Sequence, residues 1–256
     1  MWDNSSIDCE RRDGFSTGHF GGNVSGLDAS ECVDDYDTDT VLEMYHYTNG
    51  TYMELNGFLD EAIREYRDAI SFNPHEGYYH YNLGVALLNN GQYNEAFKEL
   101  SEALNLNPDD LEARCALADV HSELGRSLAL EGRTEEAIAE FREAIAIDPC
   151  YPEYHVNLGK ALLEMGQSPA CPRGGAGRTV LAEAVAELRK ALDLDPDCVD
   201  ARLSLGVALA EKGPARAVDE GIVMLSAILQ ADPLNEEARH SLDYARGRKS
   251  TVLRHC

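Results

Sequence analysis

Residues 82–108 read NLGVALLNNGQYNEAFKELSEALNLNP, and this stretch decides the fold. Ala96, Leu100 and Ala103 fall at i, i+4 and i+7, which is one helical face with small residues flanking a large one. Gly91 stands where an upstream helix must end, because glycine enters the left-handed turn at low steric cost. Pro108 stops the second helix: it lacks an N–H and disfavours helical geometry in the residue before it. The stretch therefore predicts a hairpin of two helices, the first carrying Leu83-Gly84.

Outward from this unit the same frame recurs. Pro74, Pro108, Pro149, Pro196 and Pro233 lie 34, 41, 47 and 37 residues apart. Five residues before each stand Ala69, Ala103, Ala144, Ala191 and Ile228, and eight before stand Tyr66, Leu100, Phe141, Leu188 and Leu225. Twelve before stand Ala62, Ala96, Ala137, Ala184 and Gly221. The upstream helices carry Asn49-Gly50, Leu83-Gly84, Leu124-Gly125, Leu158-Gly159 and Leu205-Gly206, and Gly57, Gly91, Gly132, Gly166 and Gly213 are expected to end them. At these residues the chain resembles the tetratricopeptide repeat family, over roughly residues 43–246. The resemblance implies an all-α fold, a right-handed solenoid of about five helix-turn-helix repeats. Their spans are about 43–76, 77–110, 111–151, 152–198 and 199–235, with a capping helix at 236–246.

The departures carry their own expectations. Seven extra residues in the third unit, near Ala113 to Arg126, make almost two turns and lengthen its first helix. Thirteen in the fourth, Gln167 to Thr179, are rich in Pro and Gly and predict a loop. Three in the fifth, Pro214 to Arg216, lengthen the same turn. Residues 1–42 are acidic and poor in apolar side chains, which predicts a disordered arm; residues 247–256 form a basic tail.

With 22 Lys+Arg against 46 Asp+Glu, the 256-residue chain has a net charge of −24. That disfavours nucleic acid and anionic membrane surfaces as partners, since both need concentrated positive charge. No apolar run approaches the roughly 18 residues of a membrane span. The opening residues also lack the basic and apolar regions of a secretory signal, so a cytoplasmic location is expected. Seven cysteines without a C-x-x-C pattern are expected to be reduced thiols.

In such a solenoid the first helix of each pair lines an inner groove. The resemblance places Tyr47, Tyr78, Tyr81, Asn82, Val85 and Leu88 there, followed by Val156, Asn157, Lys160, Leu163 and Leu203. Aromatic and apolar residues with interspersed acids suit a protein or peptide partner bearing apolar anchors and basic residues. The tyrosines also have an ordinary role open to them, packing between repeats. Family members that grip a terminal carboxylate use Lys, Asn and Arg. Here Asn82 and Asn157 match the Asn, but Tyr47, Thr51, Asp119 and Ser122 occupy the basic places, so no such clamp is expected. The asparagines could instead bond a bound backbone, as in sugar-transferase repeats.

His46, His80, His121 and His155 stand at equivalent places where the family has a large apolar residue. Packed helices lie 8–10 Å apart, too far for equivalent residues of successive repeats to share a zinc ion, so core-packing neutral rings are expected. PRGGAGRT at 172–179 lacks the first Gly and the Lys of a phosphate loop. No catalytic residue, metal or cofactor is assigned. The expected function is a non-catalytic interaction scaffold or adaptor. The alternatives are a regulatory or targeting module of a separate catalytic subunit, and a self-assembling scaffold.

Overall fold

The computed structural model describes residues 37–168, 175–212 and 215–254, and among them the chain forms eleven helices and no strand. These are α1 (Thr38–Leu55), α2 (Leu59–Phe72), α3 (Gly77–Asn89), α4 (Tyr93–Leu106), α5 (Leu111–Leu130) and α6 (Thr134–Ile147). There follow α7 (Pro152–Gln167), α8 (Gly175–Leu194), α9 (Val199–Lys212), α10 (Ala215–Ala231) and α11 (Glu236–Arg254). Each odd helix pairs with the next even one, each hairpin stacks on its predecessor, and α11 covers α9 and α10. The result is an all-α solenoid.

Close approach within each hairpin depends on one residue. A Cβ placed on Gly50, Gly84, Gly125, Gly159 or Gly206 would come within 2.5–2.8 Å of Tyr66, Leu100, Phe141, Leu188 or Leu225. Those five large side chains are buried, with Ala62, Ala96, Ala137 and Ala184 beside them. The turns follow from a different property. Gly57, Gly91 and Gly132 have φ of 80°, 74° and 77° and open space where a Cβ would be, so they serve the backbone alone. At Gly91 the amide bonds Leu88 O and the next amide bonds Leu87 O, closing the carbonyls the helix leaves open.

Each second helix ends with the amide before the proline, on Asn73, Asn107, Asp148, Asp195 or Asp232, bonding the carbonyl four residues back. The proline's own carbonyl is then taken by a side chain six residues on. Pro74 is met by His80 Nε2, Pro108 by Arg114, Pro149 by His155 Nε2, Pro196 by Arg202 and Pro233 by Arg239, at 2.5–3.1 Å. Every junction between units is latched in this way.

Several boundaries differ from the sequence expectation. α1 begins at Thr38, so residues 38–42 are helical rather than part of an arm; residues 1–36 lie outside the described residues. Gly166 does not end a helix. It is buried inside α7, where a Cβ would meet Leu181 at 2.7 Å. The predicted loop at 167–179 is correspondingly shorter, because Gly175 to Thr179 already belong to α8. The extra residues prolong both helices of the fourth unit, packed together through Gly166 and Leu181; residues 169–174, and Gly213 with Pro214, lie outside the described residues. α5 has 20 residues against 13 in α3, the seven-residue extension expected.

α11 runs on to Arg254, so 247–254 are helical rather than a separate tail. Arg248 donates to Glu211 O at 2.5 Å, and Lys249 pairs with Asp219 at 2.6 Å. Cys115 and Cys198 are free thiols, whereas Cys150 is disulfide-bonded, contrary to the expectation of reduced thiols throughout. No helix among the described residues is long and apolar enough to cross a membrane.

Candidate functional site

The odd-numbered helices build one wall, with α3 against α5, α5 against α7 and α7 against α9. The even-numbered helices are tied separately by Arg67–Glu95, Arg142–Glu183 and Arg189–Glu220 at 2.6–2.8 Å.

At the N-terminal end of the odd wall, tyrosines meet across α1 and α3. The Tyr47 ring lies 5.2 Å from both Tyr78 and Tyr79, and its hydroxyl donates to Tyr78 Oη at 2.5 Å. Tyr79 is buried, with its hydroxyl on Glu43, so it is a packing residue. Tyr78 remains 49 % exposed, and Tyr81, Asn82, Val85 and Leu88 are half-buried along α3. Burial, followed by the nearby Glu112 and Asp110, pushes the Tyr81 hydroxyl up to about 12. Burial and then the Tyr78 hydrogen bond raise Tyr47 as well. Both hydroxyls stay protonated through the neutral range.

From Leu88 the wall opens into a cavity of about 480 Å³ between α3, α5 and α7. Asp119, Glu123 and Glu153 give it three carboxylates, and Tyr151 and Tyr154 line it with rings 4.7 Å apart. The Tyr154 hydroxyl donates to Asp119, fixing that carboxylate. Arg126 bonds Glu123 at 2.8 Å and comes within 4.0 Å of Glu153, which shows that a guanidinium fits between them. Sequence reasoning had Asp119 and Ser122 on the groove but missed Tyr151, Tyr154 and Tyr93. They precede or open helices, where a periodicity search along the first helix does not reach.

The remaining expected groove residues divide. Asn82 donates to Tyr78 O at 2.7 Å and Asn157 to Ser122 Oγ at 3.3 Å, so both amides have partners within the chain. Lys160 is exposed and paired with Asp200 at 2.7 Å. Val156, Leu163 and Leu203 are only 4 %, 8 % and 6 % exposed and sit in the cores, so they are no surface anchors. The next hairpin covers Val156 and Leu163 and the single helix α11 covers Leu203, which the helical period alone does not reveal.

The four histidines are polar bridges rather than apolar surrogates. In each, Nδ1 lies 2.7–2.8 Å from a carboxylate of the paired helix: His46–Glu65, His80–Glu99, His121–Glu140 and His155–Glu187. His80 and His155 also hold the preceding proline carbonyl. In the third unit the seven-residue insertion separates these tasks: Arg114 takes the carbonyl, and His121 takes the carboxylate two turns later. His46, Glu65 and Asp68 place three ligand atoms within 4.8 Å of one another, a spacing that would accept a cation. The His46–Glu65 bond repeats in the other three units, and its geometry is that of the hydrogen bond found there.

Two family models match the chain. "TPR repeat" covers residues 125–166 and 181–213, and "Tetratricopeptide repeat" covers residues 77–110. No curated protein sequence matches it. Among solved structures, YrrB, described as a TPR protein with an unusual peptide-binding site, is 17 % identical with a TM-score of 0.53. The match covers 80 % of this chain and 97 % of YrrB. MamA 41-end from Desulfovibrio magneticus RS-1 is 18 % identical with a TM-score of 0.53, over 76 % of this chain and 97 % of that one. These likenesses show the fold.

Proposed function

The chain is a tetratricopeptide-repeat protein, and from that premise we propose that it is a non-catalytic scaffold whose odd-helix wall binds a segment of a partner protein. The observation that carries the reading is the continuity of the α3 row, Tyr78, Tyr81, Val85 and Leu88, with the acidic cavity beyond Leu88. An apolar or aromatic side chain of the partner lies over the α3 row. A Lys or Arg one or two residues later enters between Asp119, Glu123 and Glu153, competing with Arg126. Burying one apolar anchor contributes about 1.5–3 kcal/mol. A preformed helical wall avoids part of the ordering cost of association. The peptide-binding site named for YrrB supports a similar use of this fold here.

A random dodecapeptide phage library, panned against the full chain, tests the reading. Selected peptides are expected to share an apolar residue followed by Lys or Arg. Tyr81→Asp and Leu88→Asp should weaken their binding at least about tenfold, equivalent to about 1.4 kcal/mol, with unchanged far-ultraviolet circular dichroism. Peptides that bind both variants as well as the wild type would reject the α3 row as the site.

A further inference from the structure

The two ends of the solenoid are unlike. The C-terminal end is closed by α11, whose exposed residues include Glu236, Glu237, Arg239, Asp243 and Arg246. At the other end α1 packs on α2 and, through Tyr47, on α3, and its opposite side carries an apolar row. Val41, Tyr45, Tyr52 and Leu55 are 54 %, 62 %, 62 % and 76 % exposed, and Thr48 between them is exposed too. Positions 41, 45, 48, 52 and 55 alternate steps of four and three. That is the 3.5-residue seam by which one helix packs along another, and it is distinct from the face α1 turns to its own hairpin. A cavity of about 740 Å³ lies along this side and, among the described residues, is lined by α1.

We propose that this seam is the interface of a closed homodimer, in which α1 packs antiparallel on α1 of a second copy about a two-fold axis at Thr48. The seam is self-complementary in that register. Val41 meets Leu55 of the second copy, Tyr45 meets its Tyr52, and the small Thr48 side chains face each other where the helices cross. Charge opposes contact between copies elsewhere and leaves the uncharged seam as the place of least repulsion. With −24 on each chain, two copies repel over most of their surfaces, and the seam residues carry no charge. Among the described residues the α11 end exposes Leu234 and Tyr244 amid charged side chains and no row that matches the seam, so association stops at a pair instead of growing into a filament. The exposed parts of the four large seam residues and the flanking Met44 come to roughly 600 Å² per copy, near the lower bound for a specific interface. The dimer therefore dissociates on dilution.

Sedimentation equilibrium of the full chain over a dilution series at physiological salt provides the test. The mass is expected to rise from 28.1 kDa toward twice that value with concentration. Tyr45→Glu or Tyr52→Lys alone should weaken association at least tenfold while circular dichroism stays constant, because both side chains lie outside the core. The double variant Tyr45→Glu, Tyr52→Lys sets each new carboxylate against a new ammonium across the axis, and should recover at least tenfold over either single variant. A wild type that stays monomeric throughout assigns the seam to another occupant and overturns the proposal. So does a dimer indifferent to these substitutions. Weakening without recovery overturns the antiparallel register.

Discussion

At Gly221 an added Cβ would lie 2.6 Å from Gly206 O, a backbone atom that cannot rotate away. At Gly84, the counterpart of Gly206, an added Cβ would instead meet the buried Leu100 side chain at 2.6 Å. The fifth hairpin thus brings two backbones together where the other four seat an alanine, and this explains why position 221 departs from the alanine pattern. Gly221→Ala should destabilise the protein by about 2–3 kcal/mol despite the better helix propensity of alanine. Urea denaturation followed at 222 nm measures it, and a wild-type midpoint in the variant would contradict the account. The same residues show what one-dimensional reading supplies. The Ala96, Leu100, Ala103 set was legible because a helix reports its buried face through its own period. The Gly206–Gly221 contact was not legible, because it depends on how two helices cross.

Between elements, stability rests on the side chain six residues after each proline. His155 is fully buried and holds both Pro149 O and Glu187, so His155→Leu strands a carbonyl and a partly buried carboxylate. A loss of about 2–4 kcal/mol is expected. His121 serves Glu140 alone, since Arg114 takes the Pro108 carbonyl, and His121→Leu should cost about half as much. Equal losses in paired thermal melts would contradict this division of tasks. The pairing itself was present in the chain as a constant offset of 19 residues from His46, His80 and His121 to Glu65, Glu99 and Glu140. It was missed because the family places an apolar residue there, which directs attention to packing and away from hydrogen bonds. The start of α8 was missed for the opposite reason: the local Gly and Pro content favours a loop, and the contact of Leu181 with Gly166 outweighs it.

On the scale of the whole molecule, burial raises the hydroxyls of Tyr47, Tyr66, Tyr79, Tyr81 and Tyr244 together, each with help from a neighbouring hydroxyl or carboxylate. Tyr81 and Tyr244 are pushed from 10 to about 12. Above pH 10 the unfolded chain gives up these protons while the folded chain keeps them. The unfolded state then binds fewer protons, and stability falls as pH rises. Cooperative unfolding is expected between pH 10 and 12, with tyrosinate absorbance at 295 nm and loss of helicity rising together. Tyrosinate appearing near pH 10 in a still helical protein would count against it. How much of the odd wall is surface was likewise beyond local reading: Val156, Leu163 and Leu203 share the period of Tyr81 and Leu88, yet the following helices cover them.

The proline latches also bear on how the chain is made. Each carbonyl is held by a side chain synthesised six residues later, in the opening turn of the following unit. A hairpin leaving the ribosome therefore has a last turn still open to water, and it is sealed only as its successor emerges. Assembly then proceeds as a ratchet from the N-terminal end, with every completed step guarding the one before it.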